Sequence, residues 1–114
     1  MKRFHISIAV ADFAAAIADY SRRLGVSPCV VEDGRYALWR TDILNFSISR
    51  KPGQAPGIVR HIGFEDDTAE GFREEQDAAG ITWEYFSPAG QLAEIRDKFP
   101  AAQYKDNMHK DIHE

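Results

Sequence analysis

Cysteine is nearly absent: Cys29 is the only one in 114 residues. That excludes an internal disulfide and any zinc site built on cysteine pairs. Long apolar runs are missing as well, and nothing approaches the roughly 18 residues of a membrane-crossing helix. The apolar stretch after Lys2 and Arg3 is interrupted by His5, Ser7 and Asp12, which is not the unbroken core of a secretory leader. A reducing, cytoplasmic setting and no membrane partner are therefore expected. Basic residues are outnumbered, 14 Lys and Arg against 18 Asp and Glu, for a net charge of -4. No basic cluster alternates with aromatics, which argues against nucleic acid as a partner. What is present, 44% apolar and 28% charged residues, suffices for a core and argues against disorder. A chain of this length is expected to form a single domain, 1–114.

The stretch "RFHISIAV", residues 3–10, alternates with a period of two. Phe4, Ile6, Ile8 and Val10 share one face, and His5, Ser7 and Ala9 the other, as in a half-buried strand. Asp12 is a good N-cap, and Phe13, Ala16, Ile17, Tyr20 and Leu24 then recur at helical spacing before Gly25. "EDGR" at 32–35 signals a hairpin between "VSPCVV" and "YALWR". "ILNFSISR", 43–50, alternates again, with Leu44, Phe46 and Ile48 opposite Asn45, Ser47 and Ser49. The first fifty residues thus read βαβββ.

"KPGQAPG", 51–57, is a linker by its prolines and glycines. After it the pattern restarts. "IVRHIGF" reads as a strand with His61 sharing a face with Gly63 and with Ile62 and Phe64 toward a helix. That helix is expected from Asp66 or Asp67 to Ala79, stopped by Gly80. "ITWEYF", 81–86, follows as a strand whose alternation does not fix the face of its carboxylate, Glu84. A short helix is expected within 87–100, where Leu92, Ile95 and Phe99 recur at helical spacing. Histidine and glycine lie 20 residues apart in the first half and 19 in the second, so the chain reads as a degenerate repeat: module one 1–50, linker 51–57, module two 58–114. Trp39 and Trp83 read as packing residues, and Cys29 as a small buried hydrophobe.

The order of these features over about residues 3–82 resembles the vicinal oxygen chelate superfamily, which holds glyoxalase I, bleomycin-resistance proteins and extradiol dioxygenases. "GRYALWRTDILNFSIS" is similar to the strands of its subgroup with cadmium-induced proteins and C–As lyases. The resemblance implies an α+β fold of paired βαβββ modules curled into a cup-shaped mixed sheet, with module two incomplete or divergent. It implies a homodimer and a divalent metal (Fe, Mn, Ni or Zn) on His5 and His61. Asn45 stands where glyoxalase I has a carboxylate ligand. With Ser7 and Ser47 it is expected to meet a small-molecule substrate. A third ligand is expected from the tail, where alignment places Lys110 near the slot and Asp111 beside it, with His109 also within one residue. The cysteine pair of the arsenic lyases has no counterpart, which sets arsenic chemistry aside. Two functions stay open: a metalloenzyme with dioxygenase-, lyase- or isomerase-type chemistry on an oxygenated substrate, and a metal-free protein that sequesters a small molecule.

Overall fold

The computed structural model describes residues 2–50 and 53–105. In chain order the elements are β1 (Lys2–Ala9), α1 (Phe13–Leu24), β2 (Val30–Glu32), β3 (Tyr36–Arg40), β4 (Leu44–Ser49), β5 (Val59–Asp66), β6 (Phe72–Gln76), β7 (Thr82–Phe86), α2 (Pro88–Lys98) and β8 (Gln103–Tyr104). The fold is α+β: one open, mixed eight-stranded sheet in the order β6-β7-β5-β1-β4-β3-β2-β8, with two helices. No helix among the described residues is long and apolar enough to cross a membrane.

The first half forms for the reasons its sequence gives. Asp12 Oδ1 accepts from the Ala15 N–H at 3.1 Å, capping α1. Gly25 ends the helix at φ 74°, a left-handed conformation that glycine adopts without steric cost. The apolar stripe of α1 covers one sheet face, where Phe13, Ala37, Trp39, Phe46 and Ile48 are buried. Tyr36 and Leu38 alternate with Ala37 and Trp39, so they point through to the other face. There they join Cys29, Val30, Leu92 and Ile95 of α2, and Phe99 just after it. The sheet therefore has a core on each side, and α2 lies on the face that carries His5. Ser87 caps α2 by accepting from the Gly90 N–H at 2.9 Å, with Pro88 opening the helix. Trp39 and Cys29 are buried as expected; burial raises the Cys29 thiol to about 11, so it is a packing group and not a nucleophile.

The helix expected over 66–79 does not form. Residues 72–76 are instead β6, an edge strand paired antiparallel to β7. Cross-strand contacts outweigh the helix propensity of "REEQ". Phe72 stacks on Phe86 with centroids 5.6 Å apart, and the Arg73 guanidinium lies 4.2 Å from the Tyr85 ring centroid. Asp77 Oδ1 accepts from the N–H groups of Ala79 and Ile81, at 2.8 and 3.0 Å, and closes the β6–β7 turn. Gly80 thus ends a hairpin turn, not a helix. Ile62 and Phe64 therefore do not face the helix expected over 66–79. What does repeat is the pairing: β5 runs parallel to β7 and β7 antiparallel to β6, as β1 runs parallel to β4 and β4 antiparallel to β3.

Candidate metal centre

Strand register sets the site. Across the sheet, Asn45 of β4 pairs with His5 of β1, His5 with Gly63 of β5, and Gly63 with Glu84 of β7. One step along, Ser47, Ser7 and His61 form the next row. Across Gly63, the side chains of His5 and Glu84 both reach His61. His5 Nε2 and His61 Nε2 are 2.9 Å apart, His61 Nε2 and Glu84 Oε1 3.0 Å, and His5 Nε2 and Glu84 Oε1 3.6 Å. Ligands about 2.1 Å from an ion and at right angles to one another lie about 3 Å apart. The three residues form a group that can hold a metal ion.

The His5 ring is oriented for that task. Among the described residues its Nδ1 faces only acceptors, Asn45 Oδ1 at 2.9 Å and the Asn45 carbonyl at 3.1 Å. The Asn45 amide is itself fixed, because its Nδ2 donates to Glu65 Oε1 at 2.8 Å and to Gln91 Oε1 at 2.8 Å. A carboxylate only accepts, so Asn45 presents its oxygen to His5 and Nδ1 carries the proton. In the neutral ring the Nε2 lone pair then faces the cluster, as a metal ligand requires. Burial, reinforced by the neighbouring His61, pushes His5 down to about 4, so it is neutral near pH 7. Burial works to raise the Glu84 carboxyl, but the His61 hydrogen bond and both imidazoles hold it below its ordinary value. Two imidazoles and one carboxylate thus converge on one point, where a cation would compete with protons for the same lone pairs.

A pH effect follows. The unfolded His5 takes up a proton near 6.5 and the folded one near 4. The stability linked to this group is therefore full above pH about 6.5 and is lost as pH falls toward about 4. Denaturant midpoints of metal-free protein should fall across that window, and His5→Gln should flatten the decline. An unchanged slope in the variant would assign the effect to another group.

The cluster opens into a cavity of about 280 Å³ between the sheet and α2. Ser7 and Ser47, two of the residues expected to meet a substrate, line it. Asn45 is not part of that wall; it is fully buried behind His5 and bonded to His5, Glu65 and Gln91. Asp111, with His109 and Lys110, lies outside the described residues. The carboxylate in the cluster is Glu84, placed by the parallel β5–β7 register. The Gly63↔Glu84 pairing is a tertiary fact that local alternation in "ITWEYF" does not contain. Neither a scan against family models nor a search of curated proteins finds a match to this chain.

Proposed function

We propose that the chain is a divalent-metal enzyme of the vicinal oxygen chelate type, acting on a small oxygenated molecule, with His5, His61 and Glu84 as its metal ligands. The observation that carries this reading is the convergence of three ligand atoms around one point with the His5 tautomer fixed. Two imidazoles and one carboxylate on one side of an ion suit Fe(II), Mn, Ni or Zn. Such an ion would supply a Lewis acid for adjacent substrate oxygens and, for a redox-active metal, an open position for O₂. The protein's own part is to bind and to exclude water. Ser7 and Ser47 offer hydroxyls beside the ligands, and the Phe86 ring meets His5 edge-on at 5.0 Å, closing one side.

The glyoxalase-type module pair and the homodimer belong to the same proposal. The shared pairing pattern of β1–β4–β3 and β5–β7–β6 supports the first. The half-buried aromatic cluster of Phe4, Phe64 and Trp83, at the β5–β7 side of the face on which α1 packs, supports the second.

Metal analysis and calorimetry on protein purified without a histidine tag test the reading. One equivalent of Mn(II) or Zn(II) should bind. His5→Ala, His61→Ala and Glu84→Ala should each weaken it by more than about a hundred-fold, beyond the loss that outer hydrogen-bond partners cause. Asp111→Ala should leave it unchanged. Absence of stoichiometric metal in the wild type would favour the sequestering protein, whose apolar wall would be Phe72, Phe86 and Phe99.

A further inference from the structure

Arg60 lines the same cavity, and its position has a structural cause. β1 and β5 pair in register through Ser7 and His61 and then slip, with Ile8 opposite Val59, so Arg60 has no partner on β1. Such an irregularity re-aims a side chain. Regular alternation would send His61 and Arg60 to opposite faces; here both line the cavity. The other cation on the wall, Lys98, has Glu94 at 3.3 Å. The guanidinium of Arg60, among the described residues, meets only Ser49 Oγ, at 3.2 Å. Most of its five N–H donors thus meet no acceptor among the described residues.

We infer that Arg60 is a carboxylate-binding subsite and that the ligand of this cavity is a small organic acid. Its carboxylate sits on Arg60, and its other, oxygen-bearing end lies at the His5–His61–Glu84 cluster. The second half of that statement rests on the metal reading; the first does not. Spacing sets the length. Ser47 is level with Ser7 and His61, and Ser49 is one pleat repeat further along β4, about 7 Å away. The Ser7 and Ser47 hydroxyls lie on the same wall. A ligand of about five carbons spans such a distance at roughly 1.5 Å per bond. Planar, two-point pairing with a carboxylate is what a guanidinium does best.

Two probes of equal length separate the possibilities: 2-oxoglutarate, with a distal carboxylate, and 2-oxopentanoate, with a methyl group there. Calorimetry is run on Mn(II)-supplemented and on metal-free protein. The wild type should bind 2-oxoglutarate about ten-fold or more tightly than 2-oxopentanoate. Arg60→Gln should bring the ratio near one without changing Mn(II) affinity, and Arg60→Lys should retain part of it. Equal affinities in the wild type, a preference that survives Arg60→Gln, or no binding of 2-oxoglutarate to either form would overturn the inference. Failure to bind Mn(II) would remove the metal reading alone, and the ratio on metal-free protein would then decide the carboxylate subsite.

Discussion

Gly63→Ala should be the most damaging single methyl addition in the described part of β5. A Cβ at Gly63 would lie 1.8 Å from the backbone oxygen of Glu84 and 2.7 Å from its carbonyl carbon and nitrogen. The obstacle is the backbone of a paired strand, which cannot turn aside as a side-chain tip can. β5 and β7 would have to separate, breaking the parallel ladder that runs from Ile62↔Trp83 to Glu65↔Phe86. The expected cost is about 4 kcal/mol or more, above the usual range for overpacking because backbone must move. That corresponds to a melting temperature lower by about 15 °C for a domain of this size. Gly80→Ala is the control. Gly80 has φ +82° and nothing within 4 Å of a Cβ, so only conformational strain of about 1 kcal/mol is expected. The two variants should also differ in metal affinity, because only Gly63→Ala moves Glu84 away from the histidines. Equal melting temperatures for the two would show that the β5–β7 approach is looser than described.

The glycine illustrates what the sequence could and could not disclose. Elements set by local signals were legible. The Asp12 cap, the stripe of α1 and Gly25 lie within fifteen residues of one another, and the "EDGR" turn brackets its own hairpin. The alternation of β1 and β4 placed His5, Ser7, Asn45 and Ser47 on one face correctly. It could not separate cavity wall from interior, because the difference between Ser47 and Asn45 is made by Gln91, 46 residues away on α2. β6 was hidden for a related reason. Its sequence "FREEQ" has a single apolar residue and strong helix formers, and it is a strand only because β7 offers Phe86 and Tyr85 as partners. The local signal that does mark it is the Asp77–Gly80 turn, where one aspartate accepts two backbone N–H groups and the Trp83 indole. Glu84 escaped because its significance depends on which strand lies beside β7. Only the crossover that sets β5 against β7 puts that carboxylate beside two histidines.

Glu65→Gln should destabilise the protein and, on the metal reading proposed above, weaken cation binding at the His5–His61–Glu84 cluster, because one carboxylate supports both. Glu65 is 1% exposed and accepts from Arg3 at 2.6 Å, from Arg40 Nε at 2.8 Å and terminal nitrogen at 2.9 Å, and from Asn45 at 2.8 Å. Burial alone would raise its pKa, but Arg40, Asn45 and Arg3 together lower it, so the group is ionised near neutral pH. By linkage, its contribution to stability is present above the ordinary carboxylate range and is lost as pH falls below it. The neutral amide removes the negative charge that two buried guanidinium groups face, and turns an N–H group toward donors. Loss of one partner from a buried ionic cluster costs about 3–5 kcal/mol. The second consequence passes through Asn45. Without an acceptor of fixed type at Glu65, the Asn45 amide can turn over and present its NH₂ to His5. His5 Nδ1 would then be free to lose its proton to Nε2, the nitrogen that must stay unprotonated to bind a cation. Metal affinity should fall by roughly ten-fold, the low end of the loss caused by removing a partner bonded directly to a ligand, because Glu65 acts through Asn45. Glu65→Asp keeps the charge and should recover part of the stability while leaving the amide less well held. Calorimetric metal titration and thermal unfolding of both variants separate the two consequences. A folded Glu65→Gln protein with wild-type metal affinity would break the chain from Glu65 through Asn45 to His5, and the tautomer would have to be set by the Asn45 backbone carbonyl alone.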